Sequence, residues 1–271
     1  MSVEALLARR LPPRVKRLLR RALLVAARVI YAGSGVTCPL CGRSFRRLAP
    51  FKGEPNERCP GCGSLARHRG IYLYLRDELH AASRPREILH VAPEPALQRW
   101  LSSLPQAEYV SADLDSPDAD VEMDITDIHY RDESFDLIVC SHVLEHVLDD
   151  RRAIAELHRV LRTDGDAIIQ VPLKGDVTFE DPEVTDPAER ARVFGQYDHV
   201  RSPGRDYIDR LRTAGFVVEE HDPAAETSDD MVARHALKAG ELLYRCRKPG
   251  TATPPTQTRS RATSFPASDS T

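Results

Sequence analysis

From about residue 65 to residue 248 the chain alternates two patterns. Short runs rich in Val, Ile, Tyr and Phe are followed by stretches whose apolar residues return every three to four positions. The first pattern is that of strands and the second that of amphipathic helices, and their alternation predicts a mostly parallel sheet covered by helices. Seven strands are expected, at 86–92, 108–114, 120–125, 135–141, 167–173, 216–221 and 241–247. The helices between and before them are expected at 65–82, 95–104, 150–161, 204–214 and 228–237. Gly165 and Gly215 fall between a helix and the next strand, where a left-handed cap residue is expected.

The ends of the chain read differently. Residues 1–33 carry Arg9, Arg10, Arg14, Lys16, Arg17, Arg20, Arg21 and Arg28 against the single acid Glu4, with Leu and Val between them at helical spacing. This basic amphipathic segment suits either a peripheral membrane or partner contact through residues 1–30, or a helix lying on its own protein. Residues 249–271 are rich in Thr, Ser and Pro and are expected to be a disordered tail.

Residues 34–64 hold two matching turns, Cys38-Pro39-Leu40-Cys41-Gly42 and Cys59-Pro60-Gly61-Cys62-Gly63. Two Cys-x-x-Cys pairs at this separation are the pattern of a zinc ribbon. Four thiolates fill a tetrahedral shell and leave no position for substrate, so the zinc is expected to be structural. Cys140 and Cys246 fall in expected strands and read as buried thiols.

Composition narrows the partners. The 271 residues carry a formal net charge of −3, which argues against holding nucleic acid by bulk electrostatics. Arg43, Arg46, Arg47, Lys52, Arg58, Arg67 and Arg69 nevertheless cluster in and after the ribbon, so either a nucleic-acid contact or a contact with acidic surface of the neighbouring domain is open. Thiolate pairs without a convincing secretory signal point to a reducing, cytoplasmic setting.

Chemistry should gather at the carboxyl ends of the strands, where open α/β sheets bind ligands. The first strand runs into Pro93-Glu94-Pro95 and a helix start, and the second ends at Asp113, where a carboxylate accepts hydrogen bonds from ribose hydroxyls. Asp113 also opens an Asp-rich run and suits a turn. His142-Val143-Leu144-Glu145-His146 follows the fourth strand, and its histidines, one helical turn apart, are candidate bases toward a hydroxyl. The same five residues match the His-x-x-Glu-His zinc-peptidase pattern, which requires an embedding helix. Tyr197, Asp198, His199 and Arg201 lie on a long loop and suit either a polyhydroxyl or anionic acceptor, with His199 a second candidate base, or a plain lid packed on the sheet.

The order of these motifs over residues 86–247 resembles the class I S-adenosylmethionine-dependent methyltransferases. The closest stretch is Phe135-Asp136-Leu137-Ile138-Val139-Cys140-Ser141-His142-Val143-Leu144-Glu145-His146-Val147 with the following Leu157-His158-Arg159-Val160-Leu161-Arg162, which is similar to the small-molecule enzymes of ubiquinone biosynthesis. The resemblance implies a Rossmann-like sheet closed by an antiparallel pair, 216–221 with 241–247. It implies a first cofactor loop at 90–96, with His90, Ala92 and Glu94 at the cofactor, and Asp113 as the ribose acid. Asp124 and Ile125 would flank the adenine, and Ser141 and His142 would lie beside the transferred methyl. The family's usual acid and glycines are replaced by His90, Ala92, Glu94 and Ala96, so the loop lacks the close approach glycine permits.

Three readings follow. The first is methyl transfer from S-adenosylmethionine to an oxygen or nitrogen of a small molecule or saccharide, with His142, His146 or His199 as base. The second is a non-catalytic zinc-ribbon adaptor with a degenerate nucleotide pocket. The third is an RNA methyltransferase guided by the basic ribbon.

Overall fold

In the computed structural model, which describes residues 25–84 and 86–250, the seven expected strands form one sheet. Thirteen strands occur among the described residues, four of them in the ribbon: β1 (Ala32–Thr37), β2 (Ser44–Phe45), β3 (Ala49–Phe51) and β4 (Glu54–Arg58). The large sheet comprises β5 (Arg86–Val91), β6 (Ala107–Asp113), β7 (Val121–Glu122), β8 (Phe135–Ser141), β9 (Leu161–Gln170), β12 (Val217–His221) and β13 (Leu243–Arg247). The short pair β10 (Phe179–Glu180) and β11 (Arg201–Ser202) stands apart. The helices are α1 (Ala66–Leu73), which continues into a π turn at Tyr74–Glu78, α2 (Pro95–Leu101), α3 (Asp150–Val160), α4 (Pro187–Val193), α5 (Tyr207–Thr213) and α6 (Asp229–His235).

The strand order is β12-β13-β9-β8-β5-β6-β7. All neighbours are parallel except β13, which runs antiparallel to both β9 and β12. After β5 the chain crosses to β6 on one side, while β8 lies on the other. The order therefore reverses at β5, and a crevice opens between the carboxyl ends of β5 and β8.

The apolar alternation decides which face each side chain takes. Leu89, Val91, Ile138, Cys140, Ala167 and Ile169 pack on one face with Ala153, Ile154 and Leu157 of α3 and Tyr207 and Leu211 of α5. Ile88, Leu137, Val139, Ile168 and Leu243 pack on the other with Ile71, Leu75, Leu97 and Leu101. Both faces are covered, which is why β5 and β8 read as near-continuous apolar runs. Cys140 and Cys246 are fully buried thiols, and burial pushes both well above the ordinary thiol range.

Several boundaries shift from expectation. The strand expected at 167–173 begins at Leu161, which is already extended where α3 ends. Asp164, not Gly165, takes the left-handed conformation, with φ of 60°. Gly165 is needed for space, because a Cβ there would lie 2.9 Å from the Arg162 carbonyl oxygen. Gly215 does take a positive φ, of 102°. Helix α4 was not expected; its start signal is Asp186-Pro187, with Asp186 accepting from the amides of Ala188 and Glu189.

Residues 1–24 and 251–271, and with them most of the basic segment and of the expected tail, lie outside the described residues. Residues 25–30 are helical, and Arg28 donates to the Gly61 carbonyl of the ribbon at 2.9 Å. Among the described residues no helix is long and apolar enough to cross a membrane.

The ribbon is fastened to the sheet domain by Arg69 of α1, whose side chain is wholly buried. Its guanidinium donates to the carbonyls of Glu57 (2.9 Å) and Ser64 (3.1 Å) in the ribbon. It also donates to those of His235 (2.8 Å) and Ala236 (2.7 Å) at the end of α6. His235 in turn donates to the Thr37 carbonyl at 2.8 Å, and Lys238 pairs with Glu57 at 2.9 Å. Removing the Arg69 fork takes this donor from the Glu57, His235 and Ala236 carbonyls at a closed junction, while Ser64 O keeps the Cys59 amide, so Arg69→Met is expected to lower stability by about 3 kcal/mol or more in urea unfolding. Arg69→Lys, a point charge without the fork, is expected to recover little of it.

Candidate functional site

The ribbon turns are built alike. The Cys38 amide donates to Arg43 O and the Gly42 amide to Cys38 O; the Cys59 amide donates to Ser64 O and the Gly63 amide to Cys59 O. Gly42 and Gly63 take φ of 67° and 82°, the left-handed turn that folds each pair of sulfurs toward one point. Sγ of Cys38 lies 3.7 Å from Sγ of Cys62, and Sγ of Cys41 lies 3.7 Å from Sγ of Cys59. A tetrahedron of zinc–sulfur bonds about 2.3 Å long has edges of about 3.8 Å, so the four sulfurs fit one ion. Gly61 leaves room for them, since a Cβ there would stand 3.0 Å from Cys41 Sγ.

At the ligand edge of the sheet, β5 ends at Val91 and Ala92 turns the chain into the loop with φ of 48°. This is the conformation that glycine favours, here taken by alanine at some cost in strain. The Ala92 amide is held by the Ala112 carbonyl of β6 at 2.7 Å. Glu94 precedes Pro95 and α2, and its carboxylate turns inward. Oε2 meets Nε2 of the wholly buried His90 at 3.0 Å, and Oε1 lies 3.4 Å from Nε2 of His68. The other His90 nitrogen pairs with the Tyr109 hydroxyl at 3.0 Å.

Burial opposes charge on Glu94, but the hydrogen bond with His90 and the field of His68 outweigh it and bring the carboxyl down to about 2. Burial also brings the His68 imidazole down to about 4, against the pull of Glu94. At neutral pH His68 is therefore uncharged, and the bond with His90 is what steadies the Glu94 carboxylate.

Asp113 ends β6 at the same edge. Its Oδ1 accepts from the amides of Asp115 (2.9 Å) and Ser116 (2.8 Å), so the turn role read from the sequence is present. Oδ2 has no protein partner among the described residues. Asp124, beyond β7, is exposed and accepts from Thr126, while its neighbour Ile125 is buried. Ser141, at the end of β8, is buried and lies 3.4 Å from the Gln170 side chain.

His142 leaves β8 with φ of 55°, a second left-handed residue at this edge. The five residues from His142 to His146 form turns and not a helix, which removes the zinc-peptidase reading: its pair of histidines on one helical face does not exist. The turns are laced to the loop at 196–201. The Val200 amide donates to Glu145 O at 2.9 Å, and buried Arg201 donates to the carbonyls of Leu144 (2.6 Å), Val147 (2.5 Å) and Leu148 (3.0 Å). Arg201 is thus spent on the backbone and is not free for an acceptor, so of its two sequence readings the packed loop is the one present. The lacing brings His199 against His146, ring centroids 4.6 Å apart, with Glu145 buried beneath both. Glu145 carried no signal in the sequence beyond the discarded peptidase pattern; only the fold shows that it is buried among histidines.

Residues 93–169 match the model of a family described as a methyltransferase domain. The chain carries a methyltransferase domain. The match begins in the loop after β5 and ends in β9, so it spans both edges of the crevice, and the sheet around it is Rossmann-like. Two solved structures are similar to it. One is 1,6-didemethyltoxoflavin-N1-methyltransferase of Burkholderia thailandensis, at 16% identity over 68% of this chain and 79% of that one, with a TM-score of 0.47. The other is an S-adenosylmethionine-dependent methyltransferase of Mesorhizobium loti, at 18% identity over 64% of this chain and 97% of that one, with a TM-score of 0.44. None of the curated proteins compared with the methyltransferase chain matches it.

Strain at Ala92 generates a prediction. Ala92→Gly is expected to leave thermal stability unchanged or raise it by up to about 1 kcal/mol, because the left-handed penalty disappears. Ala153→Gly in α3 is expected to lower it by about 1 kcal/mol or more in the same measurement.

Proposed function

We propose that the protein moves the methyl group of S-adenosylmethionine to an oxygen, or alternatively a nitrogen, of a small molecule or saccharide. The observation that carries this reading is the pairing of a left-handed Ala92, just before the matched stretch, with the open Oδ2 of Asp113 within it, at adjacent strand ends. Ala92 gives the loop its tight turn without glycine, which favours a working pocket over the degenerate pocket of a non-catalytic adaptor. Asp113 receives the ribose hydroxyls, Asp124 and Ile125 flank the base, and Glu94, kept ionised through His90, receives the ammonium of the methionine part.

Bound S-adenosylmethionine supplies a methyl carbon on a positively charged sulfur, so catalysis needs chiefly alignment of the acceptor with it. His142, beside Ser141 at the end of β8, takes the acceptor's proton at Nε2, an atom with no protein partner among the described residues. Tyr197, which is exposed, and Asp198 line the way in and suit a hydroxyl-rich acceptor. The guidance of RNA by the ribbon loses one contributor, since Arg69 is buried in the junction. The four cysteines hold a structural zinc.

Calorimetry on zinc-loaded protein tests the reading. Micromolar S-adenosylmethionine binding is expected, weakened about tenfold or more by Asp113→Ala, since hydrogen bonds to a charged acceptor contribute about 1.5–3 kcal/mol. Folded protein that binds none would bring the adaptor reading forward. For the ribbon, Cys59→Ser is expected to release one zinc per chain and to lower the unfolding midpoint, because zinc binding free energy is folding free energy. Unchanged zinc content in that variant would remove the four-thiolate site.

A further inference from the structure

We propose that Glu145, His146 and His199 form a second metal site, one that takes a divalent transition ion and holds the acceptor's oxygens on it. The acceptor role rests on the methyltransferase reading above; the site itself does not.

The first observation is Glu145. Its side chain is 1% exposed, yet neither carboxylate oxygen has a hydrogen-bond partner. His142 Nδ1 stands 3.3 Å from Oε1 and His146 Nε2 stands 4.0 Å from it, without the alignment of a hydrogen bond. A buried carboxylate left in this state is costly, and such groups in folded proteins are paired or coordinate metals.

The second observation is the donor set. One carboxylate oxygen and one nitrogen from each of His146 and His199 lie within 4.8 Å of one another. In a tetrahedral shell, ligands about 2.0–2.2 Å from the ion stand about 3.3–3.6 Å apart, so the three atoms would draw together by up to about 1.5 Å to close the shell. Two imidazoles and a carboxylate suit zinc, iron, cobalt or manganese, and three protein ligands leave positions open for substrate.

The third observation is orientation. His146 Nδ1 faces Asp198 Oδ2 at 3.4 Å, which leaves Nε2 directed to the Glu145 side. A carboxylate behind a histidine is the arrangement that fixes a ligand's tautomer and ring. The lacing by Arg201 and the Val200 amide holds the two segments at this spacing. These ligands differ from the peptidase pattern, since His142 is not among them and Glu145 is a ligand.

The place of the cluster, just beyond the end of β8, is the acceptor side of the crevice. An ion there would bind a hydroxyl with a neighbouring oxygen, lower the hydroxyl's pKa and leave its proton to His142 Nε2. The acceptor class is thus a chelating one, a vicinal diol or a hydroxyl beside a carbonyl.

Zinc-loaded protein titrated calorimetrically with Zn2+, Co2+ and Mn2+ in turn, without S-adenosylmethionine, tests the site. At least one ion should bind saturably at one per chain beyond the cysteine-bound zinc, and Glu145→Gln and His199→Ala should each weaken it about tenfold or more. Circular dichroism and retained S-adenosylmethionine affinity would show that both variants are folded. Binding that persists in both variants, or no saturable binding of any of the three ions by wild-type protein, overturns the proposal. Because cofactor affinity is read separately, an absent ion with retained cofactor binding would remove this site and leave the methyltransferase reading standing.

Discussion

The buried guanidinium of Arg69 is the constraint on which the arrangement of the two parts depends. A charge without solvent must have its donors satisfied, and here the partners are four carbonyls from two ends of the chain: Glu57 and Ser64 of the ribbon, His235 and Ala236 closing α6. The His235 and Ala236 carbonyls close a helix, that of Ser64 also accepts from the Cys59 amide, and Glu57 lies within β4. Ala236 is left-handed, and Ser64 follows the second cysteine turn. The fork therefore reads turn geometry on both sides, so that ribbon, α1 and α6 are correct together or not at all.

The junction also reaches the cofactor loop. His68 and Arg69 are consecutive on α1, and while Arg69 enters the ribbon and the α6 end, His68 faces Glu94. Glu94 is steadied by His90, which bonds onward to Tyr109. A polar path thus runs from the helix that anchors the ribbon to the loop where β5 gives way to α2. The ribbon meets the acceptor side as well, since Lys52 at the tip of the β3–β4 hairpin donates to Gln196 at 2.9 Å. The cysteine ribbon is in this sense a wall of the sheet domain, attached to it by Arg69 of α1 and by Lys52.

The sheet was legible because its strands are buried on both faces and announce themselves as apolar runs between helical periods. The two ribbon turns were legible because a metal shell demands particular residues at particular spacing. Helix α4 was hidden by an acid-rich sequence whose only structural mark is the Asp186 cap. No helix was expected at His142–His146, although its histidines fall at helical spacing; tertiary bonds from Arg201, more than fifty residues on, hold its carbonyls in turns. Arg201 itself looked like a substrate contact, since a sequence does not reveal that a charged side chain on a long loop is buried.

Two segments that are distant in sequence meet beyond the end of β8, and the cluster of Glu145, His146 and His199 there is a property of their meeting. Residues 142–148 follow β8 and are fixed by the sheet, whereas residues 196–201 belong to the long excursion between β9 and α5. Arg201 is itself secured from the other side by Glu180 and lies 3.5 Å from buried Asp150, which also accepts from Tyr207 and Arg210. The excursion is thereby pinned to α3 and α5 below the crevice, and only its upper turn, with Asp198 and His199, projects toward Glu145 and His146. Ala92 and Asp113 stand at the ends of β5 and β6, and the 142–148 and 196–201 segments meet beyond the end of β8, so the two sides of the crevice rest on separate supports. Changes in the 196–201 turn would alter the second side while leaving the Ala92 loop and Asp113 in place, the separation by which one fold hosts many different sites.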